Sequence, residues 1–416
     1  MDCRATVAHF HESVGPTAHD WRVRSQNPRR LALADLDDDA LRRLVAHGED
    51  RFVERKRQLP DRERLGAVVA SFANTLGGWL LVGVADDGEV IGFDAPARLD
   101  LQSHLGNLLR LAIDPLPPFL AGVRELDGRR VGLVRVFETD DAPVIVRGTG
   151  GVYVRDAGGM QPVADHRTLV ELARRGERAR EDAERRLVQE PLVAAALRPL
   201  DAKGLLQTMG ARPAHTRRTI VRAAPLTVSP TFVDWPMSRS AAAWLEEQAA
   251  SLAGGNSEPH AQRLLTLEPH GRGAVARCEI TAGPLGKETA TVVADSAGVV
   301  GAEMTHPRRD ANAVMLDETR AVDVEPLLTC VVGTLQRAEA HGRALVDVWL
   351  LLPPELSVRG APRTASEMHA SGEVVIPADD GEIAAQAASW QREFERNVGI
   401  ASFERDHPRG SPADES

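Results

Sequence analysis

The chain has 416 residues, 43% hydrophobic and 26% charged, the balance of a globular protein rather than a disordered or collagen-like one. Fifty Lys and Arg against sixty Asp and Glu give a net charge of −10, and aromatics are only 4% with a single tyrosine, Tyr153. That argues against a diffuse electrostatic grip on nucleic acid and against a broad base-stacking platform.

The length predicts two to three domains. No run of about 18 apolar residues occurs, so no membrane-spanning helix and no membrane partner are expected. The first residues lack the basic start and apolar core of a signal peptide. Cys3, Cys278 and Cys330 lie far apart, so neither a disulfide framework nor a zinc site is expected, and a cytoplasmic location follows.

Residues 1–35 read as an N-terminal arm carrying Arg22, Arg24, Arg29 and Arg30. Residues 36–175 alternate apolar runs with turn signals and form the first domain. From 41 to 176 there are 19 basic and 19 acidic residues, so the excess negative charge lies elsewhere. Within this domain Arg51–Lys56 predicts a short strand with Phe52, Glu54 and Lys56 on one face. Asp61 is the expected N-cap of a helix whose apolar face is Leu65, Val68, Val69 and Phe72. Asn74-Thr75 and Gly77-Gly78 end it, with Asn74 expected to cap. Trp79–Val84 is continuously apolar and predicts a strand covered on both faces. Asp86-Asp87-Gly88 signals a tight turn, after which Glu89–Gly92 should return as a paired strand. Arg147–Gly151 reads as a hairpin turn between two further strands.

Residues 165–190 predict one helix, charged with both signs in its later part, and 176–200 act as a connecting helix. Residues 201–404 form a second domain of unknown role. Four short strands are expected over 263–305, a helix over 324–341 and a buried strand over 344–352. The tail, 405–416, is polar and expected to be loose. The fold class is α/β (α+β), a small sheet-and-helix domain followed by a separate α+β domain.

Arg51, Arg55, Lys56, Arg57, Arg62 and Arg64 place six basic residues in fourteen positions, offset by Glu54, Asp61 and Glu63. Arginine forks suit bidentate phosphate contacts. Arg147 and Arg155 join this patch if the closing hairpin packs beside the first strand. The competing reading is a solvated surface of weak ion pairs. GxxxxGK[ST], HExxH and GxSxG are all missing, so no ATP site, zincin or serine-hydrolase signature competes.

Glu54-x-Lys56, the Ser71–Gly78 segment SFANTLGG, the Gly83–Gly88 segment GVADDG with Ile91-Gly92, and the strands Pro143–Arg147 and Gly151–Arg155 occur in this order. Together they resemble the Schlafen AlbA_2 domain, also called the divergent AAA-4 or DNA-binding domain, over about residues 40–175. The Tyr153-Val154-Arg155 run resembles the tyrosine–x–arginine strand that closes the family's domain. The resemblance implies nucleic-acid association, DNA or RNA, through a small α/β fold. In the eukaryotic Schlafen branch it also implies a carboxylate trio that cleaves RNA. Glu49, Glu54 and an aspartate of the Asp86-Asp87 pair match that trio. Asp86 is favoured because Asp87 with Gly88 makes the better turn. Such a trio would hold Mg²⁺ or Mn²⁺ through oxygen ligands. Because strand side chains alternate, Glu49 and Glu54 converge only if Glu49 precedes the strand or a bulge intervenes.

Three functions follow. The first is a nucleic-acid-binding, regulatory module contacting phosphate through Arg51, Arg55, Lys56, Arg57, Arg147 and Arg155. The second is a metal-dependent endoribonuclease acting on structured RNA such as tRNA. The third is a protein-interaction scaffold. A homodimer would supply the second lobe that the nuclease form uses, and the second domain would contact a protein partner.

Overall fold

A computed structural model of the chain describes residues 27–33, 36–94, 100–197, 216–254, 262–281, 287–307, 324–351 and 367–398. Most of the N-terminal arm and all of the C-terminal tail lie outside the described residues.

Asp37 caps the first helix, α1 (Asp38–Ala46), by accepting from the Ala40 N–H at 2.7 Å. Strand β1 (Val53–Lys56) follows. Asp61 then caps α2 (Arg62–Ala73), accepting from the Arg64 N–H at 2.9 Å. The chain turns at Gly77, where φ is 70°, into β2 (Gly78–Val82). A Cβ on Gly78 would lie 2.2 Å from the Phe72 ring and 2.6 Å from the Phe52 carbonyl. The Gly-Gly pair is therefore set by one backbone twist and one close approach. β1 and β2 are parallel, with Glu54 opposite Leu80, and α2 is the crossover between them.

Helix α3 (Leu101–Ala112) leads into β3 (Ile113–Asp114), β4 (Phe119–Leu126) and β5 (Arg129–Val136). The first sheet has the order β1-β2-β5-β4. Its central β2 is buried throughout. Leu80 and Val82 pack with Val68, Val69 and Phe72 of α2, while Trp79 and Leu81 pack with Leu41 and Leu44 of α1. The apolar run WLLV is thus a strand covered on both faces. It stops earlier than expected, at Val82, because Gly83 takes φ 92°. The paired strand expected at Glu89–Gly92 is reduced to a single bridge, Val84 to Val90. Strands β6 (Ile145–Val146), β7 (Gly151–Asp156) and β8 (Gly159–Pro162) form a second small sheet in the order β3-β6-β7-β8.

The helix expected over 165–190 is broken at Arg174 into α4 (His166–Ala173) and α5 (Arg175–Gln189). At the break Arg175 donates to the Ala73 and Asn74 carbonyls at 3.2 and 2.7 Å. Those are orphan acceptors at the end of α2, which a cation suits. Helix α6 (Pro191–Leu197) follows.

The second half is built on a seven-stranded antiparallel sheet. Its elements are β9 (Thr216–Pro225), α7 (Pro230–Asp234), α8 (Arg239–Gly254), β10 (Gln262–His270), β11 (Gly273–Thr281), β12 (Lys287–Asp295), β13 (Val300–Pro307), α9 (Val324–Arg337), β14 (Gly342–Leu351), β15 (Glu367–Ile376) and α10 (Asp380–Val398). The strand order is β10-β11-β12-β13-β9-β14-β15. One face packs on α8, α9 and α10 through residues such as Leu245, Leu328 and Trp390. The other packs on α5 and α6 through Ala183, Leu187, Val193 and Leu197. The four strands expected over 263–305 correspond to β10–β13. The two halves meet where Arg343 reaches Asp140 at 2.7 Å and Asp141 at 2.9 Å. Beside it His341 stacks on Phe137 at 4.0 Å. Among the described residues no helix is long and apolar enough to cross a membrane.

Candidate nucleic-acid interface

The approach to β1 is an Asx turn. Asp50 Oδ1 accepts from the N–H groups of Phe52 and Val53 at 2.7 and 2.9 Å, fixing where the strand begins. From there side chains alternate. Val53 joins the α1 core, and Arg55 follows it to the same side. Glu54 and Lys56 face the α2 side.

Arg55 is 4% exposed. Its guanidinium donates to the Asp86 carbonyl at 2.9 Å and to the Val45 carbonyl at the end of α1. The sequence reading offered Arg55 to phosphate. The fold instead spends its charge on backbone oxygens, because the odd position of β1 faces the core.

Arg155 is also buried. Its side chain is 1% exposed and lies 4.2 Å over the Phe72 ring. It donates to Glu54 Oε2 at 2.7 Å and to the Asp50 carbonyl at 2.9 Å. The closing hairpin does pack beside the first strand, as the patch required, but Arg155 arrives there as a buried partner for Glu54.

Glu54 accepts from Lys56 Nζ through its other oxygen at 2.6 Å. Burial pushes the Glu54 carboxyl up, but the hydrogen bonds from Lys56 and Arg155 outweigh it and hold the group below the ordinary carboxylate value. Lys56 Nζ also donates to the Arg55 carbonyl at 2.8 Å and lies 3.7 Å from Glu49 Oε1. Glu49 accepts from the Arg55 N–H at 2.9 Å. It sits in the loop ahead of β1, so both glutamates approach the same ammonium despite their odd spacing.

Asp86 does not join them through any described contact. It is exposed, and its backbone carbonyl is held by Arg55 on the α1 side. Asp87 Oδ1 accepts from the Glu89 N–H at 3.0 Å and so forms the turn. Among the described residues no three His, Cys, Asp or Glu side chains are grouped to hold a metal ion.

The exposed cations lie elsewhere. Arg51 is exposed and lies 4.7 Å over the Phe52 ring at the start of β1. Arg57, just past the end of β1, and Arg62 and Arg64, in the first turn of α2, are exposed and have no acidic partner among the described residues. Arg147 is 52% exposed and lies 3.3 Å from Asp114. Its turn is placed by the next residue: a Cβ on Gly148 would lie 3.4 Å from the Glu63 carboxyl carbon. Glu63 stands between Arg62 and Arg64. The β6–β7 turn, which carries Arg147, therefore lies against the start of α2, which carries Arg62 and Arg64.

Asn74 occupies the C-cap of α2, but its side chain works across the domain. It accepts from the Val144 N–H at 2.7 Å and donates to the Val144 and Tyr153 carbonyls at 2.9 and 3.0 Å. This pin fixes the β6–β7 hairpin to α2. Thr75 Oγ1 adds a bond from the Arg155 N–H at 2.8 Å. Asp50 was not singled out from the sequence; an Asp just before an aromatic strand start was its available signal. Thr75 was read only as part of the helix end, and its bond to the Arg155 N–H joins distant segments.

Residues 49–164 match the family model described as Schlafen, AlbA_2. The match is confined to this part of the chain. Two solved structures are similar to it. One is the DIP2311 protein from Corynebacterium diphtheriae, at 22% identity and a TM-score of 0.24, covering 39% of this chain and 33% of that one. The chain thus spans about a third of the length of that protein. The other is the N-terminal domain of an ATP-dependent DNA helicase RecG-related protein from Nitrosomonas europaea. It is 22% identical with a TM-score of 0.23, covering 30% of this chain and 93% of that one. No curated protein matches the chain.

Proposed function

We propose that the AlbA_2 domain is a nucleic-acid-binding module that grips phosphates along the edge formed by Arg57, Arg62, Arg64 and Arg147, with a regulatory role for the chain as a whole. The observation that supports this reading is the approach of the Gly148 turn to Glu63, which brings the turn carrying Arg147 to the helix start carrying Arg62 and Arg64. The family resemblance supports nucleic acid as the ligand. Asp61, Glu63 and Asp114 offset much of the positive charge. Affinity is therefore modest and falls steeply with salt.

The test is retardation of transfer RNA and of duplex DNA in a gel at low and at physiological salt, with Glu54→Gln alongside wild type. Retardation at low salt that persists in the folded variant is expected. No retardation of either ligand at low salt overturns the reading and leaves the protein-interaction scaffold.

A second reading is an endoribonuclease using Glu49 and Glu54, which approach each other at one ammonium, with Asp86; the Lys56 charge between them stands against it. It requires that wild type cleave transfer RNA with Mn²⁺ or Mg²⁺ and that Glu54→Gln bind without cleaving.

A further inference from the structure

The resemblance to the Schlafen nuclease branch implies a divalent metal between Glu49, Glu54 and Asp86, and the residues as folded do not fit one. The position between the two glutamates already holds a positive charge. Lys56 Nζ lies 2.6 Å from Glu54 Oε1, 2.8 Å from the Arg55 carbonyl oxygen and 3.7 Å from Glu49 Oε1. Two carboxylates and a backbone carbonyl are the oxygen donors that a hard divalent cation takes. Here they surround an ammonium.

We propose that the Lys56 ammonium is the resident cation of the Glu49–Glu54 pair, so that the wild-type chain keeps Mg²⁺ and Mn²⁺ out of this position. Three observations carry the inference. The ammonium is tethered two residues from Glu54 on the same strand, so it competes at an effective concentration that free metal does not match. The other Glu54 oxygen is already bound by the buried Arg155 guanidinium at 2.7 Å. Lys56 and Arg155 balance the two glutamates, and a dication added beside them would leave two uncompensated positive charges at a half-buried site. Finally, the third carboxylate is not gathered with the pair: no metal-holding group of three occurs among the described residues. The proposal holds whether or not the domain binds nucleic acid.

The experiment counts Mn²⁺ bound to the full chain by electron paramagnetic resonance, without nucleic acid. It compares wild type, Glu54→Gln, Lys56→Met and the double variant. Lys56→Met keeps the aliphatic stem and removes the charge. The expected result is no Glu54-dependent site in wild type. Lys56→Met gains one site, at least tenfold tighter than any in wild type, and the double variant loses it. A Mn²⁺ site in wild type that Glu54→Gln removes, as tight as that of Lys56→Met, overturns the proposal. So does a folded Lys56→Met that gains no site. Should Lys56→Met fail to fold by circular dichroism, wild type against Glu54→Gln still decides. A Glu54-dependent site there contradicts the proposal, and equal Mn²⁺ binding by the two supports it.

Discussion

Arg147 and Arg155 belong to one hairpin, yet the first is 52% exposed and the second 1%. Arg147 sits at the turn that lies against the start of α2. Arg155 sits at the far end of β7, packed over the Phe72 ring and bonded to Glu54 and the Asp50 carbonyl. The same contrast divides Arg57 from Arg55 at the end of β1. One residue type serves two purposes, and burial decides which. A guanidinium that faces the core satisfies carbonyls and carboxylates, whereas one at the rim is available to a phosphate.

The largest effect that sharpens this contrast is expected at Arg155. Replacing it with Met leaves Glu54 half-buried beside Lys56 alone and should cost about 3–5 kcal/mol of stability in urea unfolding. Arg147→Ala should stay within about 0.5 kcal/mol of wild type. Equal losses in the two variants would erase the distinction. Arg55→Met comes next, at about 1–3 kcal/mol, because the Asp86 and Val45 carbonyls lose their donor. In the folded fraction it should leave the salt dependence of nucleic-acid binding unchanged. A change in that dependence would put Arg55 back among the phosphate contacts.

A smaller effect concerns pH. The folded Glu54 carboxyl titrates below its unfolded value. Its contribution to stability is therefore complete above the ordinary carboxylate value of about 4.3 and fades as pH falls through the lower folded value. Unfolding midpoints measured from pH 7 to pH 3 should decline in wild type. They should decline less in Glu54→Gln, whose amide does not titrate. Parallel curves would show that the Lys56 and Arg155 contacts carry no such weight.

The sequence made the first domain legible wherever local rules suffice. Asp61 announced its helix, and WLLV announced a strand buried on both sides. Alternation predicted that Glu54 and Lys56 share a face. It also implied that Arg55 points the other way, but which side is core depends on where α1 packs, and no local pattern states that. Arg155 was expected beside the first strand only if the closing hairpin packs there. Its burial depends on Phe72 and on the Asn74 pin to Val144, contacts that join distant segments. The long helix at 165–190 broke because Arg175 is drawn to the end of α2, another tertiary demand. In the second half the β11 and β12 runs were readable from their turns, while the order that inserts β9 between β13 and β14 was not.

The proposed module holds phosphate at the rim rather than around Glu54. Fluorescence anisotropy of a labelled RNA, titrated at several salt concentrations with wild type and with Arg62→Ala/Arg64→Ala, measures this directly. The logarithm of affinity should fall linearly with the logarithm of salt, and the double variant should bind more weakly with a slope shallower by about 2. An unchanged affinity and slope in the folded double variant would contradict the account.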